Sequence, residues 1–207
     1  MERILIFIKH NLRFLWELIE QANSFMFSLL YGRRVRQTTD RIISEIPGDS
    51  YIYRKLNPSD IDSLHDLLTS QPQDDLRYFN PHGFDKNSLE DRMKNRAFLM
   101  MGAFDDDKLI GYFFLRFFAN RKCFVGRLID RKYRGKGVGR TMNRIMYDIA
   151  WEMNFRCLST VSTNNHLVMK AHAGNPNMKI LKKLDNDYLL VEFVRNAGNC
   201  FLSDEQL

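Results

Sequence analysis

From position 5 the apolar residues recur in alternating steps of three and four: Leu5, Ile8, Leu12, Leu15, Ile19, Ala22, Met26 and Leu29. Such a repeat is a helical seam. Ile4, Phe7, Phe14, Leu18 and Phe25 widen it, and His10, Arg13, Glu17, Ser24 and Ser28 form a narrow polar side. The spacing predicts an amphipathic helix ending near Gly32. After it come the basic cluster Arg33, Arg34 and Arg36 and a connector over 32–50 that closes with Pro47-Gly48-Asp49. Lys9, Arg13, Glu17 and Glu20 interrupt the run of about 20 apolar residues that a bilayer crossing needs. The stretch Ile4 to Ile8 is also shorter than a signal-peptide core of about 7–15 residues. Two roles suit this helix. It could pack on the domain or on a second copy, or lie in a membrane surface with the arginines on lipid head groups.

From Tyr51 the pattern changes. Tyr51 to Leu56 alternates as a short strand, and Asn57-Pro58-Ser59-Asp60 starts a helix with Ile61, Leu64, Leu67 and Leu68 on its buried face. Residues 69–86 read as loop, and Ser88 to Asn95 as a second helix. Ala97 to Phe104, the turn Asp105-Asp106-Asp107 and Leu109 to Phe118 predict a hairpin, with Cys123 to Ile129 a further strand. Arg140 to Met153 is helical, Leu158 to Ser162 a strand, and His166 to Ala173 a short helix. Met178 to Leu184 and Tyr188 to Val194 form a closing hairpin. The order β α α β β β α β α β β predicts a mixed α/β (α+β) fold. Its sheet is mostly antiparallel with flanking helices, and strands pair in parallel where a helix joins them. The division expected is 1–50, helix and connector, and 51–207, the domain.

Composition narrows the class. The 207 residues are 44% hydrophobic and 27% charged, which excludes disorder over most of the chain. Cys123, Cys157 and Cys200 are scattered and form no CxxC pair, so reduced thiols and a cytoplasmic setting are expected, without a cysteine-built metal site. The net charge of +6 is local. Residues 116–156 hold eleven basic side chains against Asp130, Asp148 and Glu152, a net of +8, and the remainder sums to −2. No helix-turn-helix, zinc-finger or RNA-recognition pattern accompanies the basic stretch, which argues against nucleic acid as a partner.

Within it, Arg131-Lys132-Tyr133-Arg134-Gly135-Lys136-Gly137-Val138-Gly139-Arg140 lies between a strand and a helix. Alternating glycines let the main chain turn tightly and approach a ligand. A helix start adds unpaired N–H groups and the positive end of its dipole. Such a loop suits phosphate. It lacks the Gly-Lys-Ser/Thr ending of a Walker loop and the spacing of a dinucleotide fingerprint.

Arg134-x-x-Gly137-x-Gly139 after a strand and before a helix resembles the acyl-CoA-binding segment of the GNAT (GCN5-related N-acetyltransferase) family, whose consensus is Arg/Gln-x-x-Gly-x-Gly/Ala. The element order from Tyr51 is similar too, and the likeness covers roughly three quarters of the chain. The resemblance implies an acetyl-CoA-dependent N-acetyltransferase needing no metal. It implies that main-chain N–H groups of Gly135, Lys136, Gly137, Val138, Gly139 and Arg140 hold the pyrophosphate, with charge from Arg134, Lys136 and Arg140. Pantetheine would add like a strand to Leu128 and Ile129. Asn165 matches the family's frequent CoA-contacting asparagine, and would equally serve as a helix N-cap.

The likeness also has gaps. The family's proton donor is often a tyrosine seven residues after that asparagine, where this chain has His172. A histidine can donate a proton or simply cap the short helix. The usual Gly-Phe beyond is replaced by Gly174-Asn175-Pro176. The strand before the loop has no carboxylate, and Asp130 at its end is either the base or a partner of Arg131 or Arg127. His82 in Phe79-Asn80-Pro81-His82-Gly83-Phe84 falls where the family builds its acceptor site, and otherwise belongs to an ordinary turn packed by its aromatics. That segment resembles one in GNAT enzymes that modify amino sugars for bacterial surface polysaccharides. The expected acceptor is therefore a small-molecule amine, with a protein amine or a non-catalytic CoA-binding module as alternatives. Residues 1–31 are expected to contact a second copy or the inner face of a membrane.

Overall fold

A computed structural model describes residues 13–46, 50–172, 175 and 177–195. Helix α1 spans Arg13–Ser44. Strand β1 (Ile52–Lys55) leads into α2 (Ile61–Thr69), a single turn α3 (Gln73–Leu76) and α4 (Lys86–Lys94). Then follow β2 (Phe98–Asp105), β3 (Lys108–Phe118), β4 (Lys122–Ile129), α5 (Val138–Glu152), β5 (Arg156–Ser162), α6 (His166–His172), β6 (Met178–Lys183) and β7 (Tyr188–Phe193). The turn before α2 is set by a capping box, with Asn57 Oδ1 accepting from Ser59 N–H and Asp60 accepting from Asn57 N–H.

The seven strands form one sheet in the order β1-β2-β3-β4-β5-β7-β6, antiparallel except for β4 against β5. Side chains alternate across it into two apolar layers. One holds Met101, Phe113, Leu115 and Val125 beneath α1 and α5, with Met142, Ile145 and Ile149 from α5. The other holds Met100, Tyr112, Phe114 and Leu128 beneath α2 and α4, with Leu64, Leu68 and Leu89. Cys123 and Cys157 sit side by side across the parallel pair as buried free thiols.

The main departure from the sequence pattern is α1. It does not end near Gly32 but continues to Ser44, so the expected connector is mostly helix. A glycine inside a helix costs only about 1 kcal/mol relative to alanine. Burial of Ile42, with Val35 and Ile43 packed on the same core, offsets that. Residues 47–49 and the start of the seam, through Leu12, lie outside the described residues. The expected loop 69–86 contains the turn α3, which proves to matter for the glycine loop.

α1 docks through Phe27 and the polar residues around it. Phe27 is fully buried and stacks on Phe117 with ring centroids 4.8 Å apart. Around it, Asn23 donates to Phe117 O (3.0 Å) and accepts from Ala119 N–H (3.0 Å), and Ser24 Oγ accepts from Arg96 N–H (3.1 Å). Glu20 pairs with Arg92 at 3.2 Å and with Arg116. The seam residues Ile19, Met26 and Leu29 face outward instead. No helix among the described residues is long and apolar enough to cross a membrane.

Candidate functional site

The ladder between β4 and β5 lasts three residue pairs, Lys122↔Arg156 to Phe124↔Leu158. Beyond it the strands part, bridged only by Ser159 Oγ donating to Val125 O at 3.0 Å. The gap so formed opens toward the end of β4, where the glycine loop begins.

Strand alternation decides which main-chain groups face the gap. Asp130 N–H donates to Ile110 O, and Leu128 is paired with Tyr112 of β3 in the same phase. Leu128 is therefore turned toward β3, against expectation. The residues with main-chain groups on the β5 side are Arg127 and Ile129. Consecutive strand residues address opposite edges, so the expected pair Leu128 and Ile129 could not both serve one ligand. The Arg127 side chain lies on the α5 face, where its Nε donates to Asn143 Oδ1 at 2.7 Å. Burial pushes its guanidinium below the usual range.

The loop itself has the conformation that its glycines allow. Gly135 and Gly137 have φ of +77° and +85°, and a Cβ at either would meet nothing within 4 Å. Both are open positions in left-handed backbone, which side chains disfavour. Gly139 is tight: a Cβ there would stand 2.9 Å from Ile129 Cδ1 and 3.3 Å from Arg127 Nη1. Val138 is buried in the core and anchors the start of α5. No side chain caps that start, so the first-turn N–H groups of Val138 and Gly139 have no intrahelical acceptor. Arg140 N–H, by contrast, closes onto Gly137 O at 2.8 Å.

The cations around the loop differ in their engagement. Arg134 is held by Asp75 of α3, Nη2 to Oδ2 at 2.9 Å, with Arg131 Nε 3.4 Å from the same oxygen. Lys136 Nζ lies 4.8 Å from the centre of the Tyr133 ring, and Tyr133 Oη donates to Asp105 at 2.8 Å. Lys136 and Arg140 are exposed. Asp75 and Tyr133 were not singled out in the sequence. The adjacent acids Asp74 and Asp75 opposite Arg131 and Arg134 were the available signal.

Two of the candidate catalytic residues, Asp130 and His82, are engaged by the fold itself. Asp130 caps the turn at 131–133, accepting from Lys132 N–H at 3.0 Å with Lys108 Nζ 3.8 Å away. His82 is buried, its Nδ1 2.8 Å from Gly83 O and its Nε2 2.8 Å from the Tyr112 hydroxyl. The carbonyl can only accept, so Nδ1 carries the proton and Nε2 accepts from tyrosine. No ring nitrogen is left for an acceptor substrate. Burial and the charge of Arg92 lower the His82 pKa, keeping the ring neutral. Asn165 Oδ1 caps α6 by accepting from Val168 N–H at 3.2 Å. The cap uses its oxygen, and the amide nitrogen remains a donor. His172 ends α6, and its side chain, with Gly174 and Pro176, lies outside the described residues. Among the described residues no group of three or more His, Cys, Asp or Glu could hold a metal ion.

The open glycine cradle, the uncapped helix start and the parted strands fit a pyrophosphate-bearing cosubstrate with an extended amide arm. The comparisons with known proteins point the same way. The sequence model of the acetyltransferase (GNAT) family matches residues 61–173. No curated protein matches the sequence. Among solved structures, PaiA N-acetyltransferase from Thermoplasma acidophilum in complex with coenzyme A is 20% identical. It aligns over 71% of this chain and 100% of its own, with a TM-score of 0.60. Ribosomal-protein-S5-alanine acetyltransferase from Vibrio fischeri is 15% identical over 73% and 97%, with a TM-score of 0.57. The Salmonella typhimurium protein yncA with its cofactor acetyl-CoA is 12% identical over 70% and 92%, with a TM-score of 0.52.

Proposed function

The chain belongs to the GNAT family of acetyltransferases, and from that membership we propose that it transfers the acetyl group of acetyl-CoA to the amine of a small molecule. An amino sugar is the acceptor class to test first, because of the likeness of the segment Phe79 to Phe84. The observation that carries the reading is the loop 135–139. Two glycines in left-handed backbone lead into an uncapped fifteen-residue helix beside parted parallel strands.

The N–H groups from Gly135 to Gly139 would hold the pyrophosphate, with Lys136 and Arg140 as exposed countercharges. Main-chain groups of Arg127 and Ile129 would bind the pantetheine arm, and Asn165 would donate through its amide nitrogen. Bound acetyl-CoA supplies the activated acetyl thioester. The Ile129 N–H, facing the gap, would stabilise charge on the carbonyl oxygen. His172 at the end of α6 would give a proton to the departing sulfur, whose thiol titrates near 8.5. Asp130 and His82 serve the fold in this scheme, as turn cap and aromatic-cluster member.

Calorimetry with acetyl-CoA tests the cosubstrate. Gly137→Glu places a charged side chain in the pyrophosphate path and should abolish binding. Binding equal to that of the unaltered protein would sink the assignment. Thiol release over amino sugars, aliphatic amines and peptides then sorts the acceptors. β4 has no carboxylate, and that observation favours a second reading, a CoA-binding module without turnover. Tight binding with no release on any amine would select it.

A further inference from the structure

An ordinary surface helix turns its apolar stripe to its own core. Over residues 18–30 α1 buries Phe27 but turns the rest of its large apolar side chains away from the core. Its polar residues Glu20, Asn23 and Ser24 bind the domain. Phe25 and Leu29 are 65% and 72% exposed, and Leu18, Ile19, Met26 and Leu30 join them in the open. Large apolar side chains contiguous on a free surface mark a contact site.

The steps of three and four do not stop at Leu29. They continue to Arg33 and Arg36, one and two turns on. Both arginines are exposed and make no ion pair among the described residues. With Lys55 and Arg96 they line a cavity of about 830 Å³ whose lining contains no carboxylate. Among the described residues the Arg96 side chain bonds to the Ser28 hydroxyl, at 3.4 Å. The stripe therefore runs into a cluster of four cations that form no ion pair among the described residues.

We propose that α1 lies in an anionic lipid surface. The stripe around Phe25 and Leu29 enters the boundary between head groups and acyl chains. Arg33, Arg36, Lys55 and Arg96 take lipid phosphates. Charge complementarity selects lipid over a second copy of the chain. Glu20, the one acid between Leu18 and Arg36, lies on the docking face and is consumed by Arg92 and Arg116, so that stretch offers nothing to the arginines of a facing copy. The sequence preceding Arg13 has the same character, Ile4 to Ile8 followed by Lys9. This assignment is independent of the acetyl-transfer reading.

The test is co-sedimentation of the full chain with vesicles of phosphatidylcholine alone or mixed in equal parts with phosphatidylglycerol. The expected result is partition onto the mixed vesicles that weakens as salt is raised. Phe25→Ser with Leu29→Ser should lower it about tenfold or more. Arg33→Gln with Arg36→Gln should remove the preference for the anionic lipid. All four positions are exposed, and circular dichroism and thermal unfolding confirm each fold without reference to any ligand. Three results would overturn the proposal. One is absence of the unaltered chain from both vesicle pellets. Another is a dimer in analytical ultracentrifugation that Phe25→Ser dissolves while vesicles capture nothing. The third is saturable calorimetric binding of inorganic phosphate, abolished by Arg33→Gln, with no vesicle partition.

Discussion

His82 Nε2 and the Tyr112 hydroxyl are joined at 2.8 Å inside a cluster of Phe84 and Phe98 rings. With the ring neutral, Nε2 accepts from that hydroxyl. Burial lowers the folded-state pKa below the ordinary value of about 6.5. The unfolded chain then binds a proton more readily than the folded one between those two values. The resulting stability is complete above about pH 6.5 and is lost as pH falls toward the depressed value. Urea unfolding at pH 8 and at pH 5.5 should show this loss, and His82→Phe should show less of it. Leaving the Tyr112 hydroxyl without its acceptor should also cost about 1–3 kcal/mol at pH 8. A pH profile unchanged by the substitution would refute the titration argument.

Gly137 and Gly139 of the loop should fail in different ways. Gly137→Ala meets open space, so its cost is conformational, about 1–2 kcal/mol for a left-handed residue. It should weaken acetyl-CoA binding while leaving turnover at saturation near that of the unaltered enzyme. Gly139→Ala presses on Ile129 and Arg127. It should lower both affinity and saturated turnover, because it displaces the strand end assigned to the pantetheine arm. Equal effects of the two substitutions on both quantities would contradict this division.

Asp75 neutralises Arg134 beside the loop. Removing its charge should strengthen the attraction for a pyrophosphate. Asp75→Asn is expected to tighten acetyl-CoA binding about threefold at low salt, with the gain fading as salt screens it. Titration calorimetry at two ionic strengths measures this. Weaker binding in the variant would mean that Asp75 positions Arg134 for the ligand instead of competing with it.

The strands, the α5 face and the loop were legible because their signals are local. Alternation, a 3.6-residue repeat and three glycines before a helix each span fewer than about twenty residues. What escaped was tertiary. The Arg134–Asp75 pair joins positions 59 residues apart, and His82–Tyr112 positions 30 apart. α1 shows the limit most clearly. Its apolar stripe is plain in the sequence, yet the docking face is built from Phe27 with Glu20 and Asn23, whose partners lie 72 to 96 residues away. Leu128 and Ile129 fail as a pair for a local reason. Adjacent strand residues face opposite edges, so the period of two already implied Arg127 with Ile129.

Glu20 holds α1 to the domain through two half-buried arginines, Arg92 of α4 and Arg116 of β3. Burial lowers the pKa of both Arg92 and Arg116, so each depends on a nearby carboxylate. Glu20→Ala would leave two poorly solvated cations facing each other. The expected loss is about 2–3 kcal/mol in denaturant unfolding, with faster hydrogen exchange along the first turns of α1. Glu20→Gln should lose less, since it keeps an acceptor. An unchanged unfolding midpoint in Glu20→Ala would show the docking to rest on Phe27 and Asn23 alone.

His172 stands seven residues after Asn165. That is where the family often has its proton-donating tyrosine. Asn165 fixes the start of α6 through its cap, and His172 is the last residue of that helix. A donor held at a helix end can act late in the reaction without contributing to cosubstrate affinity. His172→Ala should therefore reduce kcat by about 10²–10⁴ while calorimetric binding of acetyl-CoA is retained. A donor must be protonated to act, so turnover of the unaltered enzyme should fall on the alkaline side, and the variant should lose that limb. His172→Tyr should recover part of the rate, because a phenol can make the same transfer. A fall of less than threefold in His172→Ala, with the alkaline limb intact, would remove the histidine from the chemistry and leave protonation of the sulfur to solvent.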